Sequence, residues 1–207
     1  MHLPWSPGLQ NDDRLIESLN GFKGKQIVVT EKMDGENATL YRDHYHARSL
    51  DSRHHPSRDW IKSFHGSIQY LIPENIRICG ENMYAEHSIR YDTLPSYFLG
   101  FSVWSISSNC CWSWDETEDL FEQIGIHVVP HLYSGPYDDF AEQFLKGTGI
   151  INAPRYSQIQ EGYVVRTRHG FHYDQFNRFV AKYVRKDHVQ TDQHWMTKPV
   201  TPNGLKK

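Results

Sequence analysis

The chain has 207 residues, of which 38% are hydrophobic and 14% aromatic, enough to bury one substantial core and too few for two full domains. Charges of both signs are interspersed and the formal net charge is −3. That excludes a protein held to nucleic acid by bulk attraction and leaves only a local positive cleft to bind phosphate.

The N-terminus, MHLPWSPGLQNDD, has neither a positively charged start nor an apolar run, and nowhere does an apolar run approach the length of a membrane span. A cytoplasmic protein with no membrane partner is expected. Cys79 stands alone and Cys110 and Cys111 are adjacent, which forms neither a disulfide framework nor a CxxC metal knuckle. The histidines follow no recognisable ligand pattern: His44 and His46 alternate along an expected strand, and His54 and His55 sit in a polar loop.

In chain order, Asn11 or Asp12 can cap RLIESLN and Gly21 can close it, so residues 11–21 are expected to be helical. KQIVVTEK is β-branched and apolar up to Lys32, and after DGEN the segment ATLYRDHYHARS alternates through a polar Arg42–Asp43 turn. Ser57 precedes RDWIKSFHGSIQYLI, where Ile61, Phe64, Ile68 and Leu71 recur at helical spacing until Pro73 stops the helix. IRICGENMY and YFLGFSVWSI read as buried strands separated by a Tyr-rich loop over 85–96. Asp115 with Glu118 matches a capping box ahead of a helix that reaches Gly125. IHVVPHLY reads as a strand whose Pro130 implies a sheet edge or a bulge, and residues 137–146 form a short amphipathic helix. EGYVVRTRHGFHYDQF and RFVAKYVR are strand-like stretches joined through turns near Gly170 and Asn177. Short strands with interspersed helices indicate an α+β fold, a single domain over 1–207 with a short C-terminal extension from about 187.

Chemistry concentrates first at Thr30-Glu31-Lys32-Met33-Asp34-Gly35-Glu36-Asn37, where a lysine ends an apolar strand before a glycine turn. An amine nucleophile must lose its proton, and a free lysine titrates at about 10.4. It therefore needs burial or neighbouring cations, and a strand end inside a cleft is expected to supply both. Gly35 lets the backbone turn away tightly. Taken alone, Lys32 reads as a solvated strand cap, and Gly35 could be a simple hairpin turn.

The segment resembles the KxDG nucleophile motif of the covalent nucleotidyltransferases, the superfamily of DNA ligases, RNA ligases and mRNA capping enzymes. Asn37 extends the resemblance to the KxxGxN of RNA ligases. Further residues are similar to the superfamily's motifs in their order. Arg48 in HARS resembles the arginine that contacts the ribose and positions the 5′-phosphate end, with Arg53 as a rival. Glu81 in CGEN resembles the glutamate that accepts from the ribose hydroxyl, and Phe101 the aromatic that stacks on the purine, with Phe98 as competitor. Glu161 in EGYV resembles the EGxV glutamate that helps to hold the catalytic divalent metal. Lys182 in RFVAKYVR resembles the lysine that stabilises charge on the α-phosphate. The second lysine of many relatives is replaced by Val184, so a second cation would be Arg185, Lys186 or absent.

These matches span residues 30–186. The resemblance implies a ligase-type nucleotidyltransferase domain of antiparallel β-sheets flanked by helices, without an appended OB-fold. It implies an ATP-dependent RNA ligase that uses Mg²⁺ or Mn²⁺. Lys32 forms a covalent lysyl-AMP, Glu161 and Lys182 assist, and Asn37, Arg48, Glu81 and Phe101 line the ATP site. RNA ends are the implied partner, gripped by this domain alone, by a homodimer or with another protein. The rival readings are a DNA ligase or nick-sealing nucleotidyltransferase, and a non-catalytic nucleic-acid-binding module of the same fold.

Overall fold

The computed structural model describes residues 1–8, 13–48, 55–147, 154–186 and 199–207. Its strands are β1 (Gln26–Lys32), β2 (Glu36–Leu40), β3 (Tyr45–Ala47), β4 (Ile76–Asn82), β5 (Phe98–Ser105), β6 (Cys110–Cys111), β7 (His127–Val128), β8 (His131–Pro136), β9 (Gly162–Thr167), β10 (Phe171–His172) and β11 (Val180–Val184). The helices are α1 (Asp59–Ile68), α2 (Trp114–Ile124), α3 (Asp139–Lys146) and the single turn α4 (Phe176–Phe179). They build two sheets, ordered β11-β9-β1-β8 and β10-β6-β5-β4-β2-β3. All pairings within these orders are antiparallel, and the short β7 joins β5 in parallel.

The period of two along each strand decides which core it serves. Ile27 and Val29 of β1 turn outward with Tyr163, Val165 and Ala181 into a core closed by Leu3, Tyr137 and Leu145. Val28 turns inward to meet Met33, Met83, Tyr91, Leu99, Trp114 and Val129 between the sheets. On the second sheet Ala38, Leu40, Ile78, Phe98 and Val103 face α1 and α2. Their opposite neighbours Asn37, Thr39, Cys79 and Glu81, paired across β2 and β4, face the first sheet. A cleft between the sheets is thus lined by one face of each.

Several expectations are corrected. Residues 13–21 hold only a 3₁₀ turn at Leu19–Gly21, whose cap is Ser18, and Asn11 and Asp12 lie outside the described residues. Here tertiary pairing overrides helical propensity: Ile16 N–H donates to the His2 carbonyl and His2 N–H to that of Arg14. The N-terminal residues then run beside β11, with Leu3 N–H donating to the Lys182 carbonyl. Helix α2 is capped by Ser113, which forms a full capping box with Glu116, rather than by Asp115 with Glu118. IHVVPHLY is two strands, because at Pro130 the chain leaves the second sheet for the first. Around Asn177 the chain forms α4, not a turn, and Phe176 and Phe179 pack against Trp104 and Phe171.

The chain also crosses between the sheets at residues 33–35, from β1 to β2. The two crossings are adjacent, since Glu31 N–H donates to the Pro130 carbonyl at 2.8 Å. A sheet cannot continue through either point, so the two sheets are joined side by side there.

Candidate functional site

Lys32 is the last residue of β1, opposite Gly162 of β9. A Cβ on Gly162 would stand 1.9 Å from the Tyr183 carbonyl oxygen, so only glycine lets β9 lie this close to β11. The residue before it, Glu161, is 5% exposed and accepts hydrogen bonds from Lys32 Nζ at both carboxylate oxygens, at 2.7 and 2.6 Å. Gly35 serves close approach rather than a left-handed turn, because its φ is not positive. A Cβ there would stand 2.7 Å from the Asn82 carbonyl oxygen and 2.9 Å from Glu81 Cγ. The loop after Lys32 therefore rests directly on the end of β4, which carries Glu81.

The electrostatics differ from the expected pattern. Burial pushes the Lys32 ammonium down, but Glu161, Glu81 and Asp34 together pull it further up, and its pKa is raised above the ordinary lysine value. Its neighbours are carboxylates, where cations were expected. Burial in turn pushes Glu81 up to about 8, against the pull of Lys32 and with added repulsion from Glu161 and Asp34. Several carboxylates converge on one lysine, which leaves a surplus of oxygen donors. Carboxylate oxygen is the donor type that a hard divalent cation takes, yet no cluster of three or more metal-ligating side chains forms among the described residues, and both Glu161 oxygens are engaged by Lys32.

The remaining candidates fall at different distances from this centre. Asn37 faces Glu81 directly across β2 and β4. Arg48 follows β3 with an exposed side chain, and its N–H donates to the Asn37 carbonyl at 3.0 Å; Arg53 lies outside the described residues. Phe98 is fully buried beside Phe64. Phe101 is part-exposed against the core between the sheets. The register of β4 and β5 skips Phe101, pairing Cys79 with Ser102 and Gly80 with Gly100, and such a bulge re-aims a side chain.

Lys182 lies across β9 from Thr30, through Val164. Its Nζ contacts Asp13 at 3.2 Å, and the same carboxylate oxygen stands 2.9 Å from His2 Nε2. Val184 is buried and Lys186 exposed. The Arg185 Nε and Nη2 atoms are buried without a hydrogen-bond partner among the described residues.

Other residues of the site carry no signal that sequence reasoning weighed. The Asp34 carboxylate accepts the N–H groups of Ser88 and Ile89 at 2.8 and 2.9 Å, and Asp34 N–H donates to the Tyr91 hydroxyl at 3.0 Å. Glu36 holds the buried Arg58 through a two-pronged ion pair. The KxDG pattern marks Asp34 but not its task, and nothing local marks Ser88, Tyr91 or Arg58.

The sequence profile described as RNA ligase matches residues 25–184, while no curated protein was found to match by sequence. Among solved structures, an RNA ligase of Naegleria gruberi with PPi superposes with a TM-score of 0.60 at 21% identity, over 88% of this chain and 57% of that one. A mutant of that enzyme with ATP and Mn gives 0.58 at 18% identity, over 91% and 58%. Another mutant with AMP and Mn gives 0.59 at 19%, over 91% and 58%. The chain thus spans under three fifths of the length of these structures and shares their fold of antiparallel sheets and helices. On the match across residues 25–184, which takes in Lys32, Glu81, Glu161 and Lys182, the chain belongs to the RNA ligase family.

Proposed function

We propose that the chain is an ATP-dependent RNA ligase with Lys32 as its nucleophile. The observation that carries this reading is the contact of Lys32 Nζ with both oxygens of Glu161, which joins the two motif residues beside the crossing from one sheet to the other. In the first step Nζ gives up a proton, for which Glu161 is the adjacent acceptor, and forms a P–N bond to the α-phosphorus of ATP as the P–O bond to pyrophosphate breaks. An oxygen of an RNA 5′-phosphate then attacks the same phosphorus, the P–N bond breaks and its electron pair returns to Nζ. Finally a 3′-hydroxyl attacks the activated 5′-phosphate, losing its proton, and AMP leaves.

Each step shifts negative charge on phosphate oxygens, so fixed cations lower the barrier. Lys182 is assigned to the α-phosphate, exchanging its Asp13 partner for it. Arg185, with its buried unpartnered nitrogens, is the better supported second cation. A divalent ion, Mg²⁺ or Mn²⁺, held partly by Glu161 and otherwise by phosphate oxygens and water would supply Lewis-acid neutralisation of the phosphates. Asn37, Glu81 and Phe101 line the cleft where the nucleoside would lie, and Arg48 stands at its rim for the RNA 5′ end.

Incubation with α-labelled ATP and either metal should transfer label to the protein, and Lys32→Ala should abolish it. Labelling of the variant at the wild-type rate, or none of the wild type with either metal, would overturn the assignment.

A further inference from the structure

Residues 201–206 lie across the loop that leads out of β4, far from it in sequence. Asn203 is 3% exposed. Its Oδ1 accepts the Tyr91 N–H at 3.0 Å, and its Nδ2 donates to the carbonyls of Met83 and Ala85 at 2.7 and 3.3 Å. Its own N–H donates to the Tyr84 carbonyl, and its carbonyl accepts the Tyr97 hydroxyl at 2.8 Å. Gly204 N–H donates to the Tyr91 carbonyl at 2.7 Å. A Cβ on Gly204 would stand 2.5 Å from the Asp92 carbonyl oxygen, so only glycine admits the segment this closely. Both backbone groups of Tyr91 are thereby held by residues 203 and 204.

The same loop holds the residues that follow the nucleophile. Tyr91 is fully buried, and its hydroxyl accepts the Asp34 N–H. The amides of Ser88 and Ile89 bind the Asp34 carboxylate from the other side. Asp34 is two residues from Lys32, on the segment that passes from one sheet to the other. A buried amide side chain with every polar group engaged fixes backbone far more firmly than packing alone.

We infer that Asn203 is a positioning residue for lysyl-AMP formation: it locks the loop around Tyr91, which fixes Asp34 and so the approach of Lys32 to the α-phosphate. The inference rests on the proposed role of Lys32. A misplacement of about 1 Å at a reacting group slows reaction by about a hundredfold. Once AMP has left the lysine, this aim no longer matters to the joining step.

The test uses Asn203→Ala, Tyr91→Phe and the double variant, each checked by thermal unfolding. For Asn203→Ala, self-labelling at saturating ATP should fall about 10- to 100-fold with the KM for ATP within about threefold of wild type. Sealing of a strand already carrying 5′-AMP, without ATP, should stay within about threefold of wild type. The Ser88 and Ile89 amides should exchange faster with solvent. Tyr91→Phe should slow labelling likewise, and the double variant should be little slower than the worse single one, because both act through one path. Equal loss of labelling and sealing alongside a lowered Tm would make Asn203 purely structural and overturn the inference. So would wild-type labelling by Asn203→Ala while the wild type is labelled normally. If Asn203→Ala does not fold, Tyr91→Phe decides by the same split. An unlabelled wild type whose amides still respond to Asn203→Ala would instead overturn the proposed role of Lys32, and the inference with it.

Discussion

Glu81 shows how a single residue ties the site to stability. Burial raises its pKa from about 4.5 to about 8, so the folded protein takes up a proton there that the unfolded chain has lost. Because the folded pKa lies above the unfolded one, the stabilisation is fully present below about 4.5 and is lost as pH rises through about 8. Glu81→Gln imitates the protonated form at every pH. It should therefore raise Tm relative to wild type at about pH 9 and change it little at about pH 5. Thermal unfolding at both values decides, and an equal difference at the two would show that Glu81 titrates as an ordinary carboxyl. The same crowding of carboxylates holds the Lys32 ammonium more firmly protonated, which bears on its proposed role as nucleophile. Its deprotonation awaits a change in the charge around Glu161 and Glu81, which bound cation and phosphates would bring.

At the scale of elements, what the sequence reveals depends on how local the deciding contact is. Apolar, β-branched runs place β1, β4, β5, β9 and β11, and alternation places β2, because such runs and their period report directly which residues meet a core. The start of α2 is ambiguous by rule alone, since Ser113 with Glu116 and Asp115 with Glu118 both fit a capping box. Burial of Trp114, 2% exposed under the Arg166 guanidinium, settles the cap two residues earlier, at Ser113. Ser113→Ala should accordingly destabilise the protein by about 1 kcal/mol. Asp115→Ala, which loses only an exposed ion pair with Arg168, should change stability by under about 0.5 kcal/mol. Denaturant unfolding of the two variants measures this, and the reverse order would reject the Ser113 cap. The N-terminal segment departs from its expected helix for the opposite reason: its partners, His2 and β11, are supplied by contacts that no local pattern encodes.

For the whole molecule, the motif residues at strand ends are legible because a sheet turns sequence order into spatial order, bringing Lys32 beside Glu161 across paired strands. The clamp at Asn203 is not, since its bond to Tyr91 spans 112 positions. Charge is legible only in total. With a net value of −3, the proposed RNA binding rests on local cations, and several of those near the site are already paired. Lys32, Arg58 and Lys182 each already face a carboxylate, of Glu161, Glu36 and Asp13. A phosphate that replaces one of those partners exchanges one ion pair for another and releases little from solution. Arg48 is different, exposed at the cleft's rim. For a single strand each phosphate neutralised adds about −0.7 to the slope of log K against log salt. Arg185 and Lys182 are assigned to the nucleotide rather than to the strand, so with Arg48 and at most one further cation engaged the slope should lie between about −0.7 and −1.4, with weak affinity at physiological salt. Arg48→Ala should flatten it by about 0.7, whereas Arg42→Ala, at an exposed turn away from the cleft, should leave it unchanged. Titrations of a labelled strand across a salt series give both slopes. Tight binding indifferent to salt, or a slope untouched by Arg48→Ala, would show that RNA is gripped by some surface other than the rim of this cleft.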